Sequence, residues 1–311
     1  MGERARQLFR RLLLIPAAAL PVIAASACRD AETTLSRGDR FWADSNYTAA
    51  LAEYRLSYER QHSADVLARV AHAYAMTGQF ERARESYDDL LQRSPGHADQ
   101  AIFDYLRLAR RAQERNDRYG TASALEAALA LRPGLPVEDL AAPLARYYAR
   151  AGDVDRAREF FDRALSYAPP DSMPGLLFDY ATLQESRGNC AEAVELFNAF
   201  RSRAPRGDRA DQARWSVGNC AFQLGREARM AGNPQRALGH LQVMLDLGLP
   251  RNLLDQAWFE RGEALLELDR RDEALEAYIR SLENARSSGG QLAERARQRI
   301  DELRFGRDFV P

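Results

Sequence analysis

The stretch YAMTGQFERARESYDDLLQRSP, residues 74–95, decides the fold. A glycine turn at Gly78 separates a helical pattern ending near Tyr74 from a second one that opens at Phe80. The second pattern carries a small residue, Ala83, an aromatic four later, Tyr87, and an apolar residue three after that, Leu90, with Pro95 beyond it. Steps of four and three place these side chains on one helix face, and a proline just past the pattern marks the stop. The string recurs as Ala157, Phe161, Ala164, Pro169 and as Ala193, Phe197, Phe200, Pro205. Each copy has a first helix upstream: Tyr148 precedes Gly152 and Gln184 precedes Gly188, with Val154 and Cys190 opening the helix that follows.

Periodicity extends this to the chain. The small residues of the second helices fall at Ala50, Ala83, Thr121, Ala157, Ala193, Ala237 and Ala274, at spacings of 33, 38, 36, 36, 44 and 37. The first unit reads Gly38, Phe41, Tyr47, Ala50, Tyr54, and the last adds Trp258 and Gly262 ahead of Ala274 and Tyr278. The third, on Thr121 and Leu125, is degenerate. The sixth, with Gly232, Ala237 and Leu241, has a first helix lengthened from about Asp208 to Ala231. A small residue where two helices cross lets the backbones approach. One such pair cannot cover its own apolar face, so neighbouring pairs must stack.

Over residues 31–286 the pattern resembles the tetratricopeptide repeat (TPR), a helix-turn-helix unit of 34 residues. The resemblance implies an all-α fold: a right-handed superhelical solenoid of about seven TPR-like helix-turn-helix units. Ser287 to Gly290 then break the chain, and Gln291 to Arg304 reads as a capping helix with Leu292, Ala296, Ile300 and Leu303 on one face. The expected organisation is an export or anchor segment over 1–27, the solenoid over 28–286, and the cap with a loose tail, in which Phe305 and Phe309 could dock, over 287–311.

The N-terminus reads as an address. Arg4, Arg6, Arg10 and Arg11 precede an uncharged apolar run from Leu12 to Ala27, which ends Ala25-Ser26-Ala27-Cys28. This is the layout of a secretory signal peptide. The run is short for a membrane-spanning helix, and Pro16 and Pro21 interrupt it. Ser26-Ala27-Cys28 resembles the bacterial lipoprotein box, with Cys28 lipidated after cleavage, although Ala25 stands where Leu is usual. Ordinary cleavage after Ala27, an uncleaved membrane anchor and an organelle presequence are the other readings.

Composition limits the chemistry. The 311 residues are 46% hydrophobic and 29% charged, which is the range of folded globular chains. There is no lysine, so all 44 basic residues are Arg. This excludes a phosphate-binding loop ending in Gly-Lys and a Schiff-base lysine. Without residues 1–27 the formal charge is −4 (40 basic against 44 acidic residues), which gives no footprint for nucleic acid. His62, His72, His97 and His240 are scattered, with no metal-ligand spacing. No G-x-S-x-G or H-E-x-x-H string occurs, and acidic pairs such as Asp88-Asp89 read as solvated helix faces. No catalytic residue, metal or cofactor is expected, and the chain reads as a non-enzyme.

Cys190 and Cys220 are a disulfide candidate. The helix that starts near Cys190 turns around Pro205-Arg206, and the long helix runs back, so reflection about that turn lands near residue 221. An exported chain would meet an oxidising compartment; two buried free thiols are the alternative.

In the TPR family the first helices line a concave groove that grips a peptide or helix. The residues matching that face are Trp42, His72, Phe103, Arg110, Arg146, Arg150, Phe178, Phe222, Arg226, Arg229 and Phe259. Arg with aromatics is the composition of binding hot spots, though the same Phe residues would also serve as packing between units. They point to a partner segment with acidic and apolar residues. The Lys/Asn clamp of the family's chaperone-binding members is disfavoured, because the matching positions hold Ala68, His72, Ala142 and Arg146. The expected function is a protein–protein interaction scaffold or adaptor, lipid-anchored on the periplasmic side of a bacterial membrane, in an envelope assembly or secretion complex. The alternative is an accessory structural subunit of an integral membrane complex, held by an uncleaved N-terminal segment. An envelope enzyme, the third class, would need a clustered acid or nucleophile.

Overall fold

A computed structural model of the chain describes residues 34–285 and 290–306. Seven positive-φ residues set its rhythm: Ser45, Gly78, Asn116, Gly152, Gly188, Gly232 and Asp269. Each stands five residues before one of the seven small residues named above, and each ends the first helix of a pair. The following N–H donates to the carbonyl five residues back: Asn46 to Phe41, Gln79 to Tyr74, Asp117 to Ala112, Asp153 to Tyr148, Asn189 to Gln184, Asn233 to Ala228 and Arg270 to Leu265, at 2.8–3.0 Å. This is a left-handed helix stop with its long-range bond, favoured by Gly and tolerated by Asn, Asp and Ser. Side-chain caps then start several second helices: Asn46 Oδ1 accepts from Ala49 N–H, Asp117 Oδ1 from Gly120 N–H and Asp153 Oδ1 from Arg156 N–H.

Among the described residues the fold is all-helical, with fifteen α-helices in paired TPR-like units and a final single helix. The chain divides into two compact units, Met1–Pro136 and Val137–Pro311. The first holds α1 (residues 34–43), α2 (Tyr47–Arg60), α3 (Ala64–Met76), α4 (Phe80–Arg93), α5 (Ala98–Glu114) and α6 (Arg118–Leu131). The second holds α7 (Ala141–Ala151), α8 (Val154–Tyr167), α9 (Met173–Ser186), α10 (Cys190–Arg203), α11 (Asp208–Met230), α12 (Pro234–Leu247), α13 (Leu254–Glu267), α14 (Arg271–Asn284) and α15 (Gln291–Phe305).

Within each pair, a small residue on the first helix faces a large one on the second. Gly38, Ala71, Ala109, Ala145, Ala181, Gly225 and Gly262 repeat at the period of the turns, and all are buried. Tyr54, Tyr87, Leu125, Phe161, Phe197, Leu241 and Tyr278 are buried on the second helices. A Cβ on Gly262 would lie 2.6 Å from Tyr278 Cε1, and one on Gly38 would lie 2.6 Å from Tyr54 Cε1. The degenerate third unit keeps the geometry because Thr121 and Leu125 fill the same places, both buried.

α11 is the longest helix at 23 residues, against 14 for most others. Its Gly218 lies where a Cβ would meet the Leu249 carbonyl oxygen, so the loop before α13 packs directly on the helix backbone. α15 caps the second unit, with Ala296 and Ile300 buried against Phe259 and Tyr278 and with Leu292 and Leu303 partly buried beside them. Arg299 fastens it with two guanidinium hydrogen bonds to the Glu263 carboxylate, at 2.8 and 3.0 Å. No helix among the described residues is long and apolar enough to cross a membrane. The segment 1–27, Cys28 and the tail residue Phe309 lie outside the described residues, while Phe305 ends α15 largely exposed.

Candidate functional site

In the second unit the first helices α7, α9 and α11 border a cleft of about 500 Å³. α7 supplies Arg146, Ala149 and Arg150; α9 supplies Phe178, Asp179, Thr182, Leu183 and Ser186; Arg209 enters from the first turn of α11, and Phe161 of α8 reaches the floor. Steps of three and four along α7 and α9 turn these side chains to one face. Thr182 and Ser186 spend their hydroxyl protons on their own helix, donating to the Phe178 and Leu183 carbonyls.

Three guanidiniums face one carboxylate. Arg146 Nε donates to Asp179 Oδ2 at 2.7 Å, which neutralises that pair. Arg209 lies over the Phe178 ring, 5.3 Å from its centroid, and no carboxylate among the described residues pairs with it. Arg150 is exposed, and among the described residues it has no hydrogen-bond or ion-pair partner. Gly175, in the first turn of α9, lies near two of these guanidiniums. The point where its Cβ would be is 4.0 Å from Arg146 Nη2 and 4.0 Å from Arg209 Nη1. The absent side chain leaves an open notch between two cations. The floor is apolar and rigid: Phe161 stacks on Tyr180 at 5.0 Å, and Phe178 packs edge-on against Phe197 and Phe200.

The structure gathers some of the groove residues read from the sequence and disperses others. Arg146, Arg150 and Phe178 meet in this cleft. Phe222 and Phe259 do not present a surface: both are buried in core clusters, and Phe178, at the matching position of α9, is largely buried too, under the Arg209 guanidinium. Arg229 is committed to Glu260 at 2.7 Å and Glu267 at 3.1 Å, and Arg226 approaches the same Glu260 at 3.7 Å. In the first unit His72 is a packing residue, not an open contact. Its Nδ1 bonds Asp104 Oδ2 at 2.6 Å, and its ring packs at a tilt against Trp42, with centroids 4.6 Å apart. Asp104 is wholly buried and also accepts from the Tyr87 hydroxyl and, at 3.3 Å, from Gln100. Phe103 is exposed, with the Arg107 guanidinium 4.9 Å above its ring, and Arg110 is exposed on the same helix.

Arg209, Asp179 and Gly175 were missed by the sequence pattern. The period marks the middle of each first helix, whereas Arg209 and Gly175 lie in first turns. Cys190 and Cys220 are joined in a disulfide with Cα atoms 4.9 Å apart, tying the start of α10 to the middle of α11. Two ionisations are displaced by their surroundings. The Tyr180 hydroxyl is pushed up to about 12 by burial and by the nearby Asp162 and Glu192. At Glu263 burial is outweighed by hydrogen bonds from Arg299 and Tyr278, so its carboxyl titrates below the usual range. Among the described residues no group of three or more His, Cys, Asp or Glu converges on a metal position.

Paired helices, positive-φ stops and a concave face on first helices define a helical-repeat protein. Two family models, both described as tetratricopeptide repeat, match residues 35–98 and 178–229 and residues 144–171 and 255–288, more than half of the chain together. The chain belongs to the tetratricopeptide repeat family, whose members are typically non-enzymatic scaffolds that bind protein or peptide partners. No curated protein sequence matches it. Solved structures similar to it include a tetratricopeptide repeat protein from Parabacteroides merdae (14% identity, 89% of this chain and 99% of that one, TM-score 0.34). Another is Naa15/Naa10 bound to HypK-THB (16% identity, 88% and 39%, TM-score 0.41). A third is the TPR2AB domain of yeast Sti1 in complex with pHSP90 (13% identity, 89% and 99%, TM-score 0.35).

Proposed function

We propose that this protein is a non-enzymatic adaptor, lipid-anchored through Cys28 in a bacterial cell envelope, which holds a partner protein in the second-unit cleft as part of an envelope assembly or secretion complex. The observation that carries the binding role is the cleft itself, concave and apolar-floored, with Arg150 and Arg209 lacking acidic partners among the described residues. Exposed Arg beside apolar surface is a binding composition. The envelope assignment rests on the basic-then-apolar N-terminus ending at Cys28. The Cys190–Cys220 disulfide fits the oxidising compartment that export would reach.

The test is capture from detergent-solubilised membranes, with the R150E/R209E double variant beside the native chain, and mass spectrometry of the mature N-terminus. A partner retained in fixed stoichiometry by the native chain and lost by the variant supports the adaptor, and an N-terminal lipidated Cys28 supports the anchor. Equal retention by both chains moves the site elsewhere. An intact Met1 favours an accessory subunit held by an uncleaved segment.

A further inference from the structure

We infer that Asn46 is an acceptor for an N-linked glycan, taken from a lipid-pyrophosphate-linked oligosaccharide. The site belongs to the first unit, and its meeting with such a donor rests on the exported reading. Residues 44–48 read Asp-Ser-Asn-Tyr-Thr, and of the eight asparagines Asn46 alone has Ser or Thr two residues on. Asn-x-Thr with x other than Pro is the acceptor pattern for N-glycosylation. The bacterial form of the transferase also takes an acid two residues ahead of the Asn, where Asp44 stands. The fold explains half of this string. Ser45 holds the positive φ of 58° that stops α1, and Asn46 Oδ1 caps α2 by accepting from the Ala49 N–H at 3.2 Å. Folding does not explain Asp44 or Thr48. Both are exposed, and among the described residues neither side chain has a hydrogen-bond or ion-pair partner. Asn46 is exposed as well. Its cap uses Oδ1 only, so Nδ2, the atom that is glycosylated, has no partner among the described residues. Cap and glycan therefore use different atoms of one side chain. Releasing Asn46 to an enzyme breaks that cap and the 2.9 Å bond from the Ala50 N–H to the Asn46 carbonyl. The first N–H groups of a helix have no partners within it, so this turn opens more cheaply than the helix interior.

In the transfer, Asn46 Nδ2 attacks the anomeric carbon of the donor. The carbon–nitrogen bond forms as the bond from that carbon to the phosphate oxygen breaks. The lipid pyrophosphate leaves with the electron pair, and one Nδ2 proton passes to a base of the transferase. The experiment incubates the purified full chain with a bacterial oligosaccharyltransferase and a synthetic lipid-pyrophosphate-linked oligosaccharide. Trypsin then releases residues 41–55, bounded by Arg40 and Arg55, for mass spectrometry. A synthetic peptide of residues 41–55 and the D44A, T48A and N46Q chains run beside it, with circular dichroism as the check of folding. D44A and T48A leave the Asn46 cap in place, so they test recognition without removing the start of α2. The expected result is a gain of one oligosaccharide mass on residues 41–55 of the native chain and none in T48A or N46Q. In D44A the gain should be about tenfold slower, the loss of one charge-assisted contact to the enzyme. A native chain left unmodified overturns the inference. If the free peptide is then glycosylated, the folded turn is closed to the enzyme; if not, the string is no acceptor. Equal modification of folded T48A, or a mass gain only outside residues 41–55, overturns it as well. None of these outcomes bears on export, which the mass of the mature N-terminus tests separately.

Discussion

Alanine should have opposite effects at two helical glycines of the second unit, Gly262 and Gly239. At Gly262 the new methyl would lie 2.6, 2.8 and 2.9 Å from three atoms of the Tyr278 ring, about 1 Å inside comfortable carbon contact. The ring cannot retreat freely: Tyr278 is fully buried, and its hydroxyl donates to Glu263 Oε1 at 2.6 Å. Overpacking costs about 1–3 kcal/mol. Loss of the bond to the carboxylate costs about 1.5–3 kcal/mol more if the ring turns aside. Alanine recovers about 1 kcal/mol of helix propensity. The net is a destabilisation of about 1 kcal/mol, reaching about 3 if the hydrogen bond breaks. At Gly239, in α12, a Cβ meets nothing within 4 Å, so only the propensity gain of about 0.5–1 kcal/mol remains. Urea unfolding followed by far-UV circular dichroism gives both midpoints, with unchanged slopes as the check that the same unit unfolds. A Gly262→Ala chain as stable as the native one would refute the claim that this glycine is fixed by the ring opposite it.

Three further outcomes follow from the same packing. Replacing Cys190 and Cys220 together by Ala should cost about 3–4 kcal/mol on the chain-entropy account, because the bridge closes a 30-residue separation. Reductant should lower the native midpoint and leave the variant unmoved. Glu263→Gln tests the α15 anchor by pH. The native carboxyl titrates low, so its stabilisation is present above about pH 4.3 and fades as pH falls through the depressed value. The gap between native chain and variant in thermal midpoint should therefore be full at pH 7 and shrink below pH 4; a gap constant with pH contradicts the ionic anchor. Asp104→Ala should destabilise the first unit by about 3 kcal/mol, since it strands the buried Tyr87 hydroxyl and the His72 ring. Asp104→Asn should cost less, and equal losses would show that the carboxylate charge is what matters.

The core was readable because its rule is local. A small residue, an aromatic four later and a turn five before fix one pair, and the period finds the rest, including α11 to within a residue. Where the turn residue was Ser45, Asn116 or Asp269 instead of Gly, the turn itself was not legible, since these side chains tolerate positive φ without advertising it. The cap was legible for the same local reason. The face of the groove was not. Phe222 and Phe259, like Phe178 at the same place in its own repeat, are buried among their core neighbours. Spacing alone carries no information on which face of a first helix the next pair covers.

Whether each guanidinium is free depends on the residue that the next first helix offers it. Arg229 on α11 finds Glu260 on α13, and Arg146 on α7 finds Asp179 on α9. One turn beyond Asp179 the answering position is Leu183, and among the described residues Arg150 is left without a carboxylate. Arg209 has the Phe178 ring instead, a contact that holds the planar cation in place without neutralising it. A surface guanidinium pair contributes little to stability, so these two positions are not explained by folding. An acidic partner would satisfy them from outside. A charge-reversed cleft should therefore lose its partner while its unfolding midpoint stays within about 0.5 kcal/mol of the native value, as for surface changes generally. A loss of binding that comes with a larger loss of stability would instead mean that Arg150 and Arg209 hold the helices together.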